Sequence, residues 1–251
     1  MSGYVQVGTC AYLKDRSWAL EMQPAPRSDA AYRDLLETHH RRSGWTVYRP
    51  VCRGCRACVP LRVPVDAFRP SKSQRRAERR NADVTVDVGP LEPTEEKWLL
   101  HDAFVRARFS DRDGGFSSLA DYAYSFGSSP VTTVEMRYRL GERLVGLGLV
   151  DLLPDVVSSV YFFFDPAEAR RSLGTFSALR EVALARETGR RYLYLGYWIE
   201  ACREMRYKAR FRPCEVLGAD GAWTPLELAG DDDGDAGDPP AGPAGPTRAR
   251  G

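Results

Sequence analysis

Apolar and polar residues along this chain follow two periods. In VPLRVPVDAF, Val59, Leu61, Val63 and Val65 fall on one face by strict alternation, which predicts a strand. Pro60 and Pro64 lack ladder donors and predict that this strand lies at a sheet edge. VTVDV at 84–88 alternates in the same way. Tyr32, Leu35, Leu36 and His39 recur at helical spacing behind Ser28 as N-cap, predicting a helix over 28–41 that stops before Gly44. SKSQRRAERRN reads as a short helix, and PTEEKWLLHDAFVRARF as a longer one capped by Thr94. Further on, VTTVEMRYRLGERLVGLGLVD reads as a hairpin turning near Gly141, VVSSVYFFFDP as a strand, SLGTFSALREVALARETGR as a helix closed by Gly189, and RYLYLGY as a strand. A helix crossing between strands predicts a parallel pair inside a mixed sheet, hence an α/β fold.

Composition narrows the class. With 251 residues and 43% hydrophobic content, the chain can bury a sizeable core, which excludes a wholly disordered protein. The segment 230–251 is Asp, Gly, Pro and Ala without a large apolar residue and is expected to be a disordered tail. It carries five Asp and two Arg, so the +2 of the whole chain becomes +5 over residues 1–229. No apolar run approaches the ~20 residues of a membrane span, and the start, MSGYVQVGTCAYLKDR, lacks a signal-peptide pattern. A cytoplasmic protein is expected. Six cysteines are too few for a disulfide scaffold of this size.

Four features suggest chemistry. Between Arg41 and Arg80 the chain holds twelve Lys or Arg against Asp66 and Glu78. Within that window Lys72, Arg75, Arg76, Arg79 and Arg80 share one face of the predicted short helix. Like charges at this spacing repel, and a polyanion or carboxylate would relieve them. A solvated basic face is the plainer reading. Second, Cys52, Cys55 and Cys58 lie at two-residue spacings, with Gly54 at the turn and Cys10 as a fourth thiolate. Such a set suits zinc or an iron–sulfur cluster; buried apolar cysteines are the alternative. Cys202 and Cys214 have no ligand spacing and read as structural. Third, Arg171-Ser-Leu-Gly174-Thr-Phe176 joins a strand to a helix, where backbone amides can hold a phosphate. Acetyltransferases of the GNAT type use a similar turn, although Phe176 is bulkier than the residue expected there. Fourth, YLYLGYWIEACREMRYKARFRP interleaves aromatics with five basic residues, which suits base stacking and phosphate contact.

YRPVCRGCRACVPLRVPVDAFRPSKSQRR, YFFFDP, SLGTFSALREVALA, YLYLGYWIEAC and MRYKARFRP together resemble the arginyl/leucyl-tRNA–protein transferases, from about Cys10 to Leu217. The compact length and the cysteine block look like the bacterial branch, the aspartate/glutamate leucyltransferases. The resemblance implies a GNAT-like acyltransferase fold, with an N-terminal Cys-bearing lobe over 1–70 and the aminoacyltransferase domain over 71–229. It implies transfer of leucine from Leu-tRNA to the α-amine of proteins with N-terminal Asp or Glu, marking them for N-degron proteolysis. The family's cysteine block falls on Cys10, Cys52, Cys55 and Cys58, and its basic block on Lys72, Ser73, Arg75 and Arg76. The donor ester is already activated, so positioning supplies much of the rate and no cofactor is required for the chemistry. An acceptor carboxylate suits Lys72, Ser73, Arg75 and Arg76. Arg79, Arg80, Arg171, Gly174, Arg206, Tyr207 and Lys208 are placed on the tRNA side. Tyr197 and Glu200 stand nearest the expected crevice as candidate bases. Two alternatives stay open: arginyl transfer by the same machinery, for which Asp111 and Asp113 could form an acidic pocket, and a metal-stabilised RNA-binding module without catalysis.

Overall fold

The structure is a computed structural model that describes residues 3–108 and 115–227. Asp111, Asp113 and the segment 230–251 lie outside the described residues. The chain opens with β1 (Tyr4–Thr9) and β2 (Ser17–Pro24), then α1 (Asp29–Leu36), β3 (Arg41–Ser43) and β4 (Thr46–Pro50). These strands form an antiparallel sheet in the order β1-β2-β4-β3. Next come β5 (Val59–Pro64), α2 (Lys72–Arg80), β6 (Val84–Gly89), α3 (Glu95–Arg108), α4 (Leu119–Phe126), β7 (Thr133–Leu140), β8 (Arg143–Leu152) and β9 (Val156–Phe164). A 3-10 turn (Pro166–Arg171) leads into α5 (Leu173–Glu187), β10 (Tyr192–Trp198), the short α6 (Arg203–Arg206), a second 3-10 turn (Tyr207–Arg210), β11 (Glu215–Leu217) and β12 (Trp223–Pro225). The second sheet has eight strands in the order β12-β11-β5-β10-β9-β8-β7-β6. All its pairings are antiparallel except β9 with β10, the pair joined by α5. The mixed α/β sheet and its crossover are as the hydrophobic pattern requires, with Gly141 at positive φ in the β7–β8 turn.

Two expectations need correcting. The first helix ends at Leu36, not at 41. Thr38 donates its hydroxyl to the Leu35 carbonyl, His39 takes φ 63°, and Arg41 begins a strand. His39 is therefore not part of a helical stripe. The second concerns β5, which lies inside the sheet, not at its edge. The three-residue β11 meets β5 only at Leu61 and Arg62, so Pro60 and Pro64 fall beyond that ladder. β5, within the 1–70 segment, is thus a strand of the larger sheet.

The core lies on both faces of that sheet. α5 buries Leu173, Phe176, Leu179 and Val182 against it, and α3 buries Leu100, Phe104 and Val105. Phe176 is a core residue whose ring meets Tyr138 at 6.0 Å, which accounts for its bulk in the turn sequence. The smaller sheet is fixed by Tyr32, Leu36 and Val47 packing on Val131, Leu153, Val156 and Tyr194. Buried Arg42 also grips buried Asp151, Nε to Oδ2 at 3.0 Å. No helix among the described residues is long and apolar enough to cross a membrane.

Candidate active site

β9 and β10 pair only over Val156–Ser158 and Tyr192–Tyr194. Beyond that point both strands bulge. β9 slips against β8 between Leu149 and Val150, and β10 slips against β5 between Tyr194 and Gly196. Gly196 has φ 80°, a conformation that favours glycine. The parallel pair therefore stops halfway and leaves an opening at its carboxyl ends, where open α/β sheets receive ligands.

Three charged side chains meet there. Arg41, buried on β3, donates to the Ser159 carbonyl and, at 3.4 Å, to the Ser158 hydroxyl. Across the gap its guanidinium nitrogen would come within 3.3 Å of a Cβ at Gly196, so a side chain there would displace it. Lys208 is half-buried, and its Nζ donates to the carbonyl of buried Tyr197 at 2.8 Å. Burial and then the Arg41 charge push its pKa down to about 7, against opposing pulls from Cys202, Cys58 and Glu181. Glu181, buried on α5, accepts from the Ser159 and Ser177 hydroxyls at 3.3 Å each. Burial pushes its carboxyl up to about 7, although both hydroxyls, Arg41 and Lys208 favour the charged form. The result is a fixed cation beside two groups that change protonation near neutrality, a combination characteristic of acid–base sites.

α2 runs past this opening. Its capping box (Ser71 and Gln74) starts the helix. Gln74, Ala77 and Asn81 form its buried side: Gln74 Nε2 donates to the Arg210 carbonyl at 3.1 Å and Asn81 Nδ2 to the Arg171 carbonyl at 2.7 Å. The helix thus bridges the segments that follow β9 and β10. Lys72, Arg75, Arg76, Arg79 and Arg80 are all exposed, and among the described residues none forms a salt bridge. Ser73 is half-buried and shares a hydrogen bond with Ser71.

The other expected site residues divide. Tyr197 is at the opening, but its hydroxyl donates to the His39 carbonyl at 2.6 Å and burial holds it protonated, so its side chain positions rather than accepts protons. Glu200 is exposed beyond the end of β10. Arg171 is engaged by Asp83 and Glu168, each at 2.8 Å, and fastens the α2–β6 connection to the start of α5. Gly174 lies in the first turn of α5. Arg206 is exposed on α6, and half-buried Tyr207 packs on the core. Lys208 does not sit on the surface with Arg206; it faces the opening.

Arg41 and Glu181 are not among the residues that the sequence pattern singles out. Glu181 had a signal, since it interrupts the apolar face of α5 four residues after Ser177. Arg41 had none, because its role depends on a strand from one sheet reaching the parting of another.

The cysteine block closes the same end of β10. Cys58, Ala57, Tyr12 and Tyr48 pack around Tyr197, Ile199, Cys202 and Met205. Burial, with Cys52, Cys10 and Cys55 nearby, pushes the Cys58 thiol up to about 12. Backbone amides of Leu13 and Ala19 donate to the Cys10 and Cys52 sulfurs at 3.4 and 3.3 Å. Among the described residues no three His, Cys, Asp or Glu side chains converge as a metal ion would hold them. As placed, the four thiols are neighbours rather than a ligand set.

Beside the opening, between the smaller sheet, α3, α4 and β9, lies a cavity of about 190 Å³. Its walls include Leu91, Phe116, Phe126, Leu149, Val160 and Tyr161. His101 lines it too, with the Phe116 ring at 4.8 Å and the Phe163 ring at 5.1 Å. Burial pushes the His101 pKa down to about 4, so the imidazole is neutral at physiological pH.

A helix whose cations lack acidic partners, beside a charged opening in a mixed sheet, suits an anionic substrate. Comparison with known proteins is specific on this point. The family model for the arginine-tRNA-protein transferase N terminus matches residues 8–76, and that for its C terminus matches residues 96–218. The aspartate/glutamate leucyltransferase of Gluconacetobacter diazotrophicus is 41% identical over 203 residues, 80% of this chain and 78% of the relative. That of Chromohalobacter salexigens is 40% identical over 213 residues, 83% of this chain and 86% of its own. That of Pseudomonas fluorescens strain SBW25 is 39% identical over 214 residues, 84% and 91%. Among solved structures, L-PGS from Bacillus licheniformis superposes with a TM-score of 0.44 at 12% identity, covering 68% of this chain and 49% of that one. FemX gives 0.40 at 8% identity, covering 77% and 79%.

The chain belongs to the arginine-tRNA-protein transferase family. It is an aminoacyltransferase whose donor is an aminoacyl-tRNA and whose acceptor is a protein.

Proposed function

We propose that this enzyme moves leucine from Leu-tRNA to the α-amine of proteins that begin with Asp or Glu, giving them an N-terminus that directs proteolysis. The observation that carries the chemistry is Lys208 beside Arg41 at the opening between β9 and β10. The relatives named above support leucine over arginine as the donated residue.

In this reading the acceptor nitrogen attacks the ester carbonyl carbon and forms the new C–N bond. Lys208, neutral above about pH 7, takes the proton that the nitrogen loses. The fixed charge of Arg41 favours the oxyanion. When the C–O bond to the ribose breaks, Lys208 returns the proton to the leaving oxygen, so no net proton is consumed. Arg75 and Arg76 hold the acceptor's carboxylate, and Arg79 and Arg80 meet tRNA phosphate. An exposed α2 without salt bridges supports both roles.

The test is transfer from labelled Leu-tRNA or Arg-tRNA to peptides beginning with Asp, Glu or Ala. Leucine should reach the Asp and Glu peptides only. The Arg76→Ala variant should lose transfer to acidic N-termini while binding Leu-tRNA as the wild type does. Equal loss of tRNA affinity would reassign Arg76 to the donor.

A further inference from the structure

We infer that the cavity between the smaller sheet, α3, α4 and β9 receives the side chain of the donated amino acid, and that its walls select leucine against arginine. The inference rests on the transfer reading above and assigns the residues that give it selectivity.

Position comes first. Tyr161 lines the cavity and lies on β9 three residues past Ser158, the last residue paired with β10. Tyr48 lines it from the other side, and its ring packs on Tyr197 of β10 at 6.3 Å. Tyr48 and Tyr161 are the cavity's link to the opening held by Arg41 and Lys208, and the inference places the donor's carbonyl carbon on that side.

Chemistry comes second. The lining combines an apolar wall of Leu91, Phe116, Phe126, Leu149 and Val160 with serine and threonine hydroxyls and, among the described residues, holds no carboxylate. The charged member of the lining, Arg42, is neutralised by Asp151. An arginyl guanidinium entering here would meet another guanidinium and no counter-charge of its own, whereas a leucyl group loses nothing polar. A volume of about 190 Å³ exceeds the ~150 Å³ apolar cavity that admits benzene, so a branched four-carbon side chain fits.

The third observation is polar. His101 Nδ1 and the Tyr161 hydroxyl are buried and lack hydrogen-bond partners among the described residues. Native proteins leave few such atoms unpaired. A neutral imidazole offers an acceptor and a phenol can accept or donate. Both suit the α-amino group of an aminoacyl ester, which accompanies any side chain placed in the cavity.

The experiment uses the full chain and one tRNA charged with leucine, phenylalanine or arginine, with an Asp peptide as acceptor. Val160→Phe narrows the cavity and should lower kcat/KM for the leucyl donor at least tenfold, with uncharged tRNA inhibiting as in the wild type. Phe116→Ala widens it at a half-buried position and should raise the phenylalanyl-to-leucyl ratio at least tenfold. Tyr161→Phe should raise KM for the leucyl donor several-fold without moving that ratio. Thermal melting separates misfolding from selectivity, and the Phe116→Ala ratio decides if the narrowed variant does not fold. Wild-type protein that transfers no amino acid would remove the function and the pocket together. Intact leucyl transfer with unchanged donor ratios in the folded variants would overturn the pocket alone, whereas wild-type transfer of arginine equal to that of leucine would overturn both the pocket and the choice of leucine as donor.

Discussion

The outer face of α2 and the opening between β9 and β10 both gather positive charge, but they use it differently. On α2, five exposed cations lack acidic partners, with Arg75 held by the Pro70 carbonyl and Arg80 by the Arg170 carbonyl and the Ser172 hydroxyl, so their field is additive and screened by salt. At the opening, two cations sit among buried groups, where desolvation moves protonation equilibria by units rather than tenths. The first region can attract and orient a large anion. Only the second can exchange a proton at neutral pH. The contrast teaches that a basic stretch must be divided by burial before roles are assigned: Lys208 and Arg206 look alike in sequence and lie on opposite sides of this divide.

The contrast can be broken in several ways. The largest effect should come from the buried cation Arg42. Arg42→Met strands Asp151 and should cost about 3–5 kcal/mol, lowering Tm by about 10 °C; a small shift in a calorimetric melt would show that burial does not set the scale. Lys208→Met should lower kcat about 100-fold or more with little change in KM for the donor. In the wild type, kcat/KM should climb as pH rises through about 7, when Lys208 loses its proton, and that inflection should vanish in the variant. The groups that face it are the fixed cation Arg41, the titrating Glu181 and the thiols of Cys202 and Cys58, which burial keeps protonated, so a surviving inflection would implicate Glu181.

Glu181→Gln gives the next effect, on stability. The folded state holds a proton on Glu181 that the unfolded chain releases near pH 4.5. Its contribution is therefore complete below about 4.5 and declines as pH rises through about 7. The wild-type Tm should fall by several degrees across that window, and the glutamine variant should flatten the curve. The smallest effect belongs to α2. Arg79→Ala should leave Tm within about 1 °C, since exposed substitutions rarely exceed 0.5 kcal/mol, while tRNA affinity drops a few-fold and its salt slope weakens by about one. A large loss of stability would mean that Arg79 has a structural partner.

Much of this arrangement is legible in the chain itself. The β7–β8 hairpin, the β9–α5–β10 crossover and the cationic helix follow from local periodicity and caps, which act over a few residues. What is not legible depends on contacts across more than a hundred positions. Arg41 is one of two adjacent arginines after a helix; only the packing of β3 beside β9 separates it from Arg42 and gives each a different partner. β5 looks like an edge strand by its prolines, and only the shortness of β11 makes room for them inside the sheet. The aromatic cavity draws on both sheets and two helices, so no single segment announces it.

The opening is assembled from distant parts of the chain: β5 and Arg41 precede residue 65, Glu181 and β10 come more than a hundred residues later, and Lys208 comes later still. Long sequence separation delays such contacts until most of the polypeptide is available. A chain lacking the segment from β10 to Lys208 therefore cannot build the opening, however well its earlier strands pair.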